Sequence, residues 1–199
     1  MKNYNPFKEL AVRAGDQKRS VNWYQTQIQN LRGMNTNVNS MLRGGSGFGK
    51  DLRAQIVPGG LYLFQYDAKH QDTLPFWDKL PLVFPFRKVQ GGFYGLNLHY
   101  LPPVLRAKFL DSLLEVTNND RYDESTRFKL TYNLMQRAAK YKYFKPCIKH
   151  YLLEHMASRF ALVQAPEWEI ATFLPTADFN SQGKKYNINN VYEIGRAHV

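Results

Sequence analysis

A small antiparallel sheet is predicted by three β-rich segments of the sequence: LYLFQY (61–66), PLVFPF (81–86) and GFYGLNLHYL (92–101). The glycines of Gln90-Gly91-Gly92 supply turn chemistry between the second and third segments. Pro81 and Pro85 favour an edge or irregular position for the second segment, because proline cannot donate to a strand ladder. The pattern leaves open whether the sheet closes like a barrel.

Two helices are predicted directly after this sheet. Pro102-Pro103 stops the sheet and begins the first helix, which ends near residues 117–120. Its apolar residues recur at three- and four-residue spacing: Leu105, Phe109, Leu110, Leu113 and Leu114. The second helix runs from about Asp123 to Lys140. Its predicted inward residues are Leu130, Leu134, Ala138 and Tyr141, and its opposite side carries Lys129, Asn133, Arg137 and Lys140.

A third helix is predicted to begin at Pro146. The evidence is an apolar residue at every fourth position: Ile148, Leu152, Met156 and Phe160. The segment ALVQ (161–164) follows as a short strand, and Pro166 begins a helical turn. The predicted fold class is therefore α+β, with a small antiparallel sheet followed by, and packed against, a helical C-terminal half.

Positive charge is concentrated in two blocks of the chain. The 199 residues carry 27 Lys and Arg against 16 Asp and Glu, a net charge of +11, which points to an anionic partner. Residues 1–56 hold nine basic and three acidic side chains, and residues 127–160 hold eight basic side chains and a single acid, Glu154. The remainder is close to neutral. This distribution predicts a basic N-terminal arm and a separate basic patch.

Three regions are predicted along the chain. Residues 1–56 form a flexible arm with one short helix at 20–31, because the glycine-rich segment 43–50 favours a mobile linker. Residues 57–192 form a single α+β domain, and the 13 Tyr, 13 Phe and 3 Trp of the chain supply apolar area for a core. Residues 194–199 match the translation of a common sequencing adapter, ATCGGAAGAGCACACGTC. We therefore expect 193–199 to be non-native and exclude Arg196 and His198 from the site.

The sequence gives no sign of secretion or membrane insertion. Its first 20 residues lack the apolar stretch of a signal peptide, and no apolar run approaches the roughly 20 residues of a membrane helix. The one cysteine, Cys147, cannot form an internal disulfide. We expect a protein made in a cytoplasm with no membrane partner.

Patterns for phosphate-loop and metal chemistry are weak. The segment 44–50 matches G-x-x-x-x-G-K, but Asp51 stands where the phosphate-binding loop has Ser or Thr, so a linker is favoured. Cys147, His150, Glu154 and His155 lie close together in the sequence, but only Cys147 with His150, or His150 with Glu154, would share a helix face. A buried thiol and a solvent-facing His150/Glu154 pair are therefore favoured over a zinc site. His70 and His99 are expected in a turn and a strand, as structural histidines.

The acidic residues were also compared with nuclease and hydrolase sites. The candidates were Asp67, Asp72, Asp78, Glu167 and Glu169. They form no recognisable constellation, and most resemble loop or helix-start residues. We expect no enzymatic activity, no cofactor and no metal.

The basic block RFKLTYNLMQRAAKYKYFKPCIKH (127–150) carries the candidate site. Seven Lys or Arg lie there without an acid, and Tyr141, Tyr143 and Phe144 are interleaved, which is typical of surfaces that follow a nucleic-acid backbone. A solvated helix face with core aromatics is the alternative, but such a face normally mixes charge signs. The predicted nucleic-acid-binding residues are Arg127, Lys129, Arg137, Lys140, Lys142, Tyr143, Lys145 and Lys149.

Three further stretches carry a family resemblance: YLFQYDAK (62–69), TLPFWDKLPLV (73–83) and GFYGLNLHYLPP (92–103). It continues through TNN (117–119), YFKPC (143–147) and FLPT (173–176). In these motifs the chain resembles the DNA end protector proteins of T-even-like contractile-tailed phages, marine cyanophages included. The resemblance implies a minor virion protein, made in the bacterial host, that joins the filled head and shields the ends of packaged double-stranded DNA from exonucleases. It brings no catalytic residues.

Two other functions remain open from the sequence. One is a structural head or neck component whose charge faces acidic capsid or portal surfaces, without a direct role on DNA. The other is a packaging-associated nuclease, which the absence of a recognisable carboxylate cluster disfavours. The oligomeric state, and whether binding is specific for DNA ends, are not determined by the sequence.

Overall fold

A computed structural model describes residues 52–101, 106, 109–110, 113, 121–140, 142–163, 168, 179–180 and 191. Its strands and α-helix are, in chain order, β1 (Leu52–Arg53), β2 (Leu61–Leu63), β3 (Trp77–Asp78), β4 (Leu82–Val89), β5 (Gly92–Asn97), α1 (Glu124–Ala138), β6 (Ile148–Leu152), β7 (Phe160–Val163) and β8 (Phe179–Asn180). Short 3-10 turns lie at Leu98–Tyr100, Lys142–Cys147 and Leu153–His155. The mixed α+β class is confirmed.

The main sheet has six antiparallel strands in the order β1-β7-β2-β4-β5-β6. Strands β1 and β6 are its two edges, so the sheet is open and not a closed barrel. β3 and β8 form a separate antiparallel pair. The three β-rich segments of the sequence supply β2, β4 and β5, as predicted. The β4–β5 turn consists of Gln90 and Gly91, and Gly91 has a positive φ of 72°, a conformation that glycine adopts without steric cost.

The edge position predicted for the proline-containing segment is wrong, because β4 lies between β2 and β5. Its pairing with β2 covers only Leu82 and Val83. Pro85 therefore lies where β4 has a strand neighbour on one side alone, and the register with β5 shifts between Pro85 and Arg87. The proline is accommodated by this irregularity, which the sequence did predict.

The third predicted helix is also wrong, since residues 148–163 form β6, a 3-10 turn and β7. Residues four positions apart lie close together on one face of a helix. They also lie on the same face of a strand, because strand side chains alternate between the two faces with a period of two. β6 pairs with β5 through Ile148↔Leu96 and Tyr151↔Phe93. The predicted strand at 161–164 is confirmed in β7. The helical C-terminal half is not confirmed.

The second predicted helix corresponds to α1. Asp123 caps it, and its carboxylate accepts a hydrogen bond from the Thr126 amide at 2.8 Å. The buried residues of the helix are Thr131, Met135 and Ala138, whereas the predicted Leu130 and Leu134 are half-buried. The predicted inward Tyr141 lies outside the described residues. The four described residues of the first predicted helix are helical: Arg106, Phe109, Leu110 and Leu113.

Of the N-terminal arm predicted for 1–56, residues 1–51 lie outside the described part of the structure. The sheet begins at Leu52, which pairs with Ala161, and Ile56 is buried against the sheet. Residues 52–56, which were predicted to belong to the arm, therefore contribute to the sheet and its core. Of the turn predicted after Pro166, Trp168 is described, and it is helical and buried. No described helix is both long and apolar enough to cross a membrane.

Both faces of the sheet are apolar. Alternation along β2 directs Leu61 and Leu63 into one cluster, with Met135 of α1, and Tyr62 into a second. The second cluster is built around Phe64, whose ring meets those of Tyr151 and Phe160 edge-to-face at 5.3 and 5.2 Å between centroids. Such ring pairs contribute about 0.5–1.5 kcal/mol each beyond their buried area. This packing fixes β6 and β7 in the sheet.

Gly59 allows the chain before β2 to lie against α1. Its φ is +93°, its amide donates to the Pro85 carbonyl at 2.9 Å, and an added Cβ would lie 2.1 Å from the Phe128 carbonyl oxygen. A side chain at this position would strain the backbone and separate the helix from the sheet. Gly91 shares the positive φ, but an added Cβ there would meet nothing within 4 Å.

These two glycines give a matched prediction for stability. Gly59→Ala should lower the free energy of unfolding by about 3 kcal/mol or more, because strain and a backbone clash act together. Gly91→Ala should lower it by about 1 kcal/mol, from strain alone. Guanidinium unfolding of both variants measures the difference. Equal losses would show that α1 does not pack against Gly59 in solution.

Candidate nucleic-acid interface

A cleft of about 700 Å³ opens beside the edge strand β6. Its walls come from four parts of the chain: residues 66–70, residues 74–78 with β3, Tyr100 in the turn after β5, and residues 145–152 with β6. A volume of this size lies within the range of small-molecule sites, roughly 300–1,000 Å³. The sheet thus assembles one concave surface from segments that are far apart in the sequence.

Cations line the cleft. Lys69 and Lys145 are exposed, and Lys149 is half-buried with its Nζ 4.1 Å from the centre of the Tyr100 ring. A cation over an aromatic face is stabilised by the ring quadrupole, so Lys149 is held in place. Burial lowers the pKa of Lys149 from its ordinary value, which is the cost of placing the ammonium there. Its position on the cleft wall favours binding of an anion.

Two histidines also line the cleft. His70 and His150 are exposed, and the His150 ring stacks on Tyr94 of β5 with 4.7 Å between centroids and an angle of 18°. His70 lies in a turn, as predicted. His150 was predicted on a helix face with Glu154, but β6 places it across from Tyr94, and Glu154 instead lies 4.0 Å from Lys69 and 3.5 Å from His155. The predicted His150/Glu154 pair is wrong.

A buried carboxylate, Asp78, forms part of the cleft wall. Its Oδ1 accepts from the Leu80 amide at 3.1 Å, and its Oδ2 accepts from Asn97 Nδ2 at 3.0 Å and lies 2.8 Å from His99 Nδ1. Both oxygens therefore have partners within the protein. Most of the acidic candidates were expected to be loop or helix-start residues, but Asp78 lies in β3 and is buried.

The histidine of this network is structural, as predicted, although it lies in the 3-10 turn after β5 and not in a strand. Burial lowers the pKa of His99, while Asp78 opposes this shift and Arg106 adds to it. The Arg106 guanidinium donates to the carbonyls of His99 and Leu101 at 3.4 and 3.3 Å, and burial lowers its pKa to about 10. Arg106 thus remains charged near neutral pH.

Cys147 is fully buried in the core beneath the cleft. Burial raises the pKa of its thiol to about 12, so the thiolate needed for nucleophilic or metal chemistry does not form near neutral pH. The predicted buried thiol is confirmed. No three His, Cys, Asp or Glu side chains come together as a metal site in the part of the chain that the structure describes.

The predicted nucleic-acid-binding residues fall into two groups. Lys145 and Lys149 line the cleft. Lys129 and Arg137 are exposed on α1, Lys140 is exposed in the turn after it, and Arg127 is half-buried on α1. Lys142 and Tyr143 belong to the 3-10 turn before β6, and their side chains lie outside the described part of the structure. No residue of α1 is among the described residues that line the cleft.

The sequence missed part of the site and misjudged one aromatic. Lys69 and His70 lie about 75 residues from Lys145 along the chain, so the search for a contiguous basic block could not include them. Phe144 was taken as a stacking side chain, but it is half-buried and packs against Phe109 with 5.1 Å between ring centroids. For this residue the alternative of a core aromatic is correct.

The fold and the cleft define a basic α+β protein that presents cations beside aromatic side chains in one cleft. Comparison with known protein families shows the family to which the chain belongs. The chain belongs to the phage T4 terminal DNA protecting protein family, whose match covers residues 8–194. This confirms the family resemblance read from the sequence motifs. Comparisons with curated proteins and with solved structures gave no match.

The buried histidine gives a prediction for stability against pH. Because burial lowers the pKa of His99 below its ordinary value of about 6.5, the unfolded chain binds a proton at pH values where the folded chain does not. The neutral His99 therefore contributes its full stability above about pH 6.5. As the pH falls below this value, the free energy of unfolding decreases by up to about 1.4 kcal/mol per pH unit.

The measurement is urea unfolding at several pH values between 5 and 8. His99→Gln should be less stable than the wild type at pH 7.5 and should show a smaller loss between pH 6.5 and 5. His70→Gln, at an exposed turn of the same cleft, is the control and should keep the wild-type pH dependence. A His99→Gln variant with an unchanged slope would contradict the buried neutral imidazole.

Proposed function

We propose that this protein binds the ends of linear double-stranded DNA packaged in a phage head and shields them from exonucleases. The observation that supports this best is the cleft beside β6, in which Lys69, Lys145 and Lys149 lie around aromatic side chains. The family to which the chain belongs is named for protection of terminal DNA. In this proposal the protein acts by binding and performs no chemical step.

The exposed cations of α1 would hold the duplex. Lys129 and Arg137 lie on the helix surface, and Lys140 follows it. Contacts of this kind with phosphates position a protein on DNA and release counterions, so affinity falls with salt. If six of the predicted cations meet phosphates, log K should fall with log salt at a slope of about −5.

Location in the virion follows from the same function. A protein that shields DNA ends must be present when the ends become accessible, which supports assembly into the filled head and contact with head or neck proteins. The alternative of a structural head or neck component without a role on DNA shares this location. It differs in predicting no affinity for DNA.

One protection assay separates these functions. Exonuclease is added to linear duplex in the presence of the protein, and nicking endonuclease is added to linear and closed circular forms of the same sequence. Protection of ends without protection of circles supports the proposed function. Equal coating of both forms indicates general DNA binding, and absence of protection supports the structural alternative. Magnesium-dependent loss of the DNA itself would indicate a nuclease.

A double charge reversal on α1 tests how the duplex is held. Arg137→Glu with Lys140→Glu should weaken binding and make the slope of log K against log salt less steep by about 2, because two phosphate contacts are lost. Both side chains are exposed, but they lie at the C-terminal end of α1, where carboxylates oppose the helix dipole, so the free energy of unfolding should fall by about 1–2 kcal/mol. The charge-preserving pair Arg137→Lys and Lys140→Arg is the control. A wild-type salt slope in the reversed variant would exclude α1 from the interface.

A further inference from the structure

A DNA end differs from the interior of a duplex in two chemical features. Its terminal base pair has one face without a stacking neighbour, and its 5′ strand can end in a phosphomonoester. At neutral pH a phosphomonoester carries a charge of about −1.5 to −2, whereas each internal phosphodiester carries one. A protein that distinguishes ends from interior must contact at least one of these features.

The size of the cleft matches a single terminal nucleotide and not a duplex. At about 700 Å³ it can enclose a unit of one or two nucleotides. A duplex is wider than its major groove, which is itself about 12 Å wide, so a cleft of this volume cannot enclose a duplex. The cleft is therefore suited to a part of the DNA that has left the helical stack.

The three lysines of the cleft match a dianion better than a single charge. Lys149 is fixed over Tyr100, while Lys145 and Lys69 are exposed at the opening of the cleft. Carboxylates also lie near this group, and each has a partner within the protein. Asp67, for example, accepts a hydrogen bond from Gln71 Nε2. Asp78 has partners on both oxygens, and Glu154 is 4.0 Å from Lys69 and 3.5 Å from His155. An exposed pair such as Lys69 with Glu154 is weak, so a phosphate can compete for this lysine.

The floor of the cleft is aromatic and includes an unused donor. Phe76, Trp77, Tyr100 and Tyr151 are buried side chains that border the cleft. Trp77 is 8% exposed, and its indole Nε1 has no hydrogen-bond partner within the part of the chain that the structure describes. A buried indole N–H normally has a partner. A base above this floor would meet apolar ring edges and, after a small shift of the wall, an N–H donor.

From these features we infer that the cleft binds the 5′-phosphorylated terminal nucleotide of a DNA end, with the phosphomonoester at Lys69, Lys145 and Lys149 and the base against the aromatic floor. The inference rests on the proposed function and adds the chemical group that marks an end. Phosphate contacts elsewhere, such as those of α1, occur equally at ends and in the interior. The cleft then supplies specificity and α1 supplies general affinity.

The test uses one blunt duplex prepared in three forms: with 5′-phosphates, with 5′-hydroxyls, and closed by hairpin loops at both ends. Affinity is measured for the full-length protein at one fixed salt concentration. The wild type should bind the phosphorylated duplex about tenfold more tightly than the hydroxyl form, the order expected for one charge-assisted hydrogen bond. Binding to the closed form should be weakest.

Lys145→Glu and Lys69→Glu should each reduce the ratio between the phosphorylated and hydroxyl forms toward one. Both positions are exposed, so either variant can be used if the other folds poorly. Lys88→Glu makes the same charge change at an exposed site that does not line the cleft, and it should keep the wild-type ratio. Circular dichroism and thermal unfolding confirm that each variant is folded.

The outcomes separate this inference from the proposed function. Equal wild-type affinity for the phosphorylated and hydroxyl forms, both tighter than the closed form, overturns the inference and leaves end binding intact. A ratio that survives both cleft variants, or that falls equally in Lys88→Glu, also overturns it. Equal affinity for all three forms, or no binding, overturns end binding and the inference together.

Discussion

The hydrogen bonding of the buried Asp78 carboxylate is the interaction on which the arrangement of β3, β5 and β6 depends. A carboxylate removed from water costs several kcal/mol unless hydrogen bonds replace its hydration. Here the replacement comes from the Leu80 amide, Asn97 and His99, so β3 and the end of β5 must keep one relative position. Asn97 also donates to the Tyr151 hydroxyl at 2.9 Å, which extends the same network to β6.

This network shapes the cleft and sets its charge. Tyr100 follows His99 directly, and Tyr151 belongs to the network, so two of the aromatic rings that border the cleft are positioned by buried hydrogen bonds. The buried Arg106 guanidinium interacts electrostatically with Asp78 and opposes the negative charge of the carboxylate beneath this wall. A site for an anion can therefore be built over a buried negative charge.

Secondary-structure elements were predicted correctly from the sequence where the residue pattern fits only a helix or only a strand. The central strands and α1 have clear periodicity, turn glycines and the Asp123 cap, and they were found. The segment 148–160 was assigned to a helix because fourfold apolar spacing suits both periods, and pairing with β5 decided between them. The buried network of Asp78 could not be predicted from local sequence. Its partners Asn97 and His99 are about 20 residues away, and burial is a property of the tertiary fold. Lys145 and Lys149, which line the cleft, were named from the basic block, whereas Lys69 was not, because it lies about 75 residues away along the chain.

The separation of the two cationic groups has a physical consequence for recognition. If one continuous surface held the duplex and its end, every added lysine would raise affinity for the interior of DNA as much as for the end. In this fold α1 presents its cations apart from the cleft, and no α1 residue is among the described residues that border it. Energies of separate sites on a rigid scaffold are close to additive. Under the proposed function, affinity for the DNA backbone and discrimination of the DNA end could then be adjusted independently of each other.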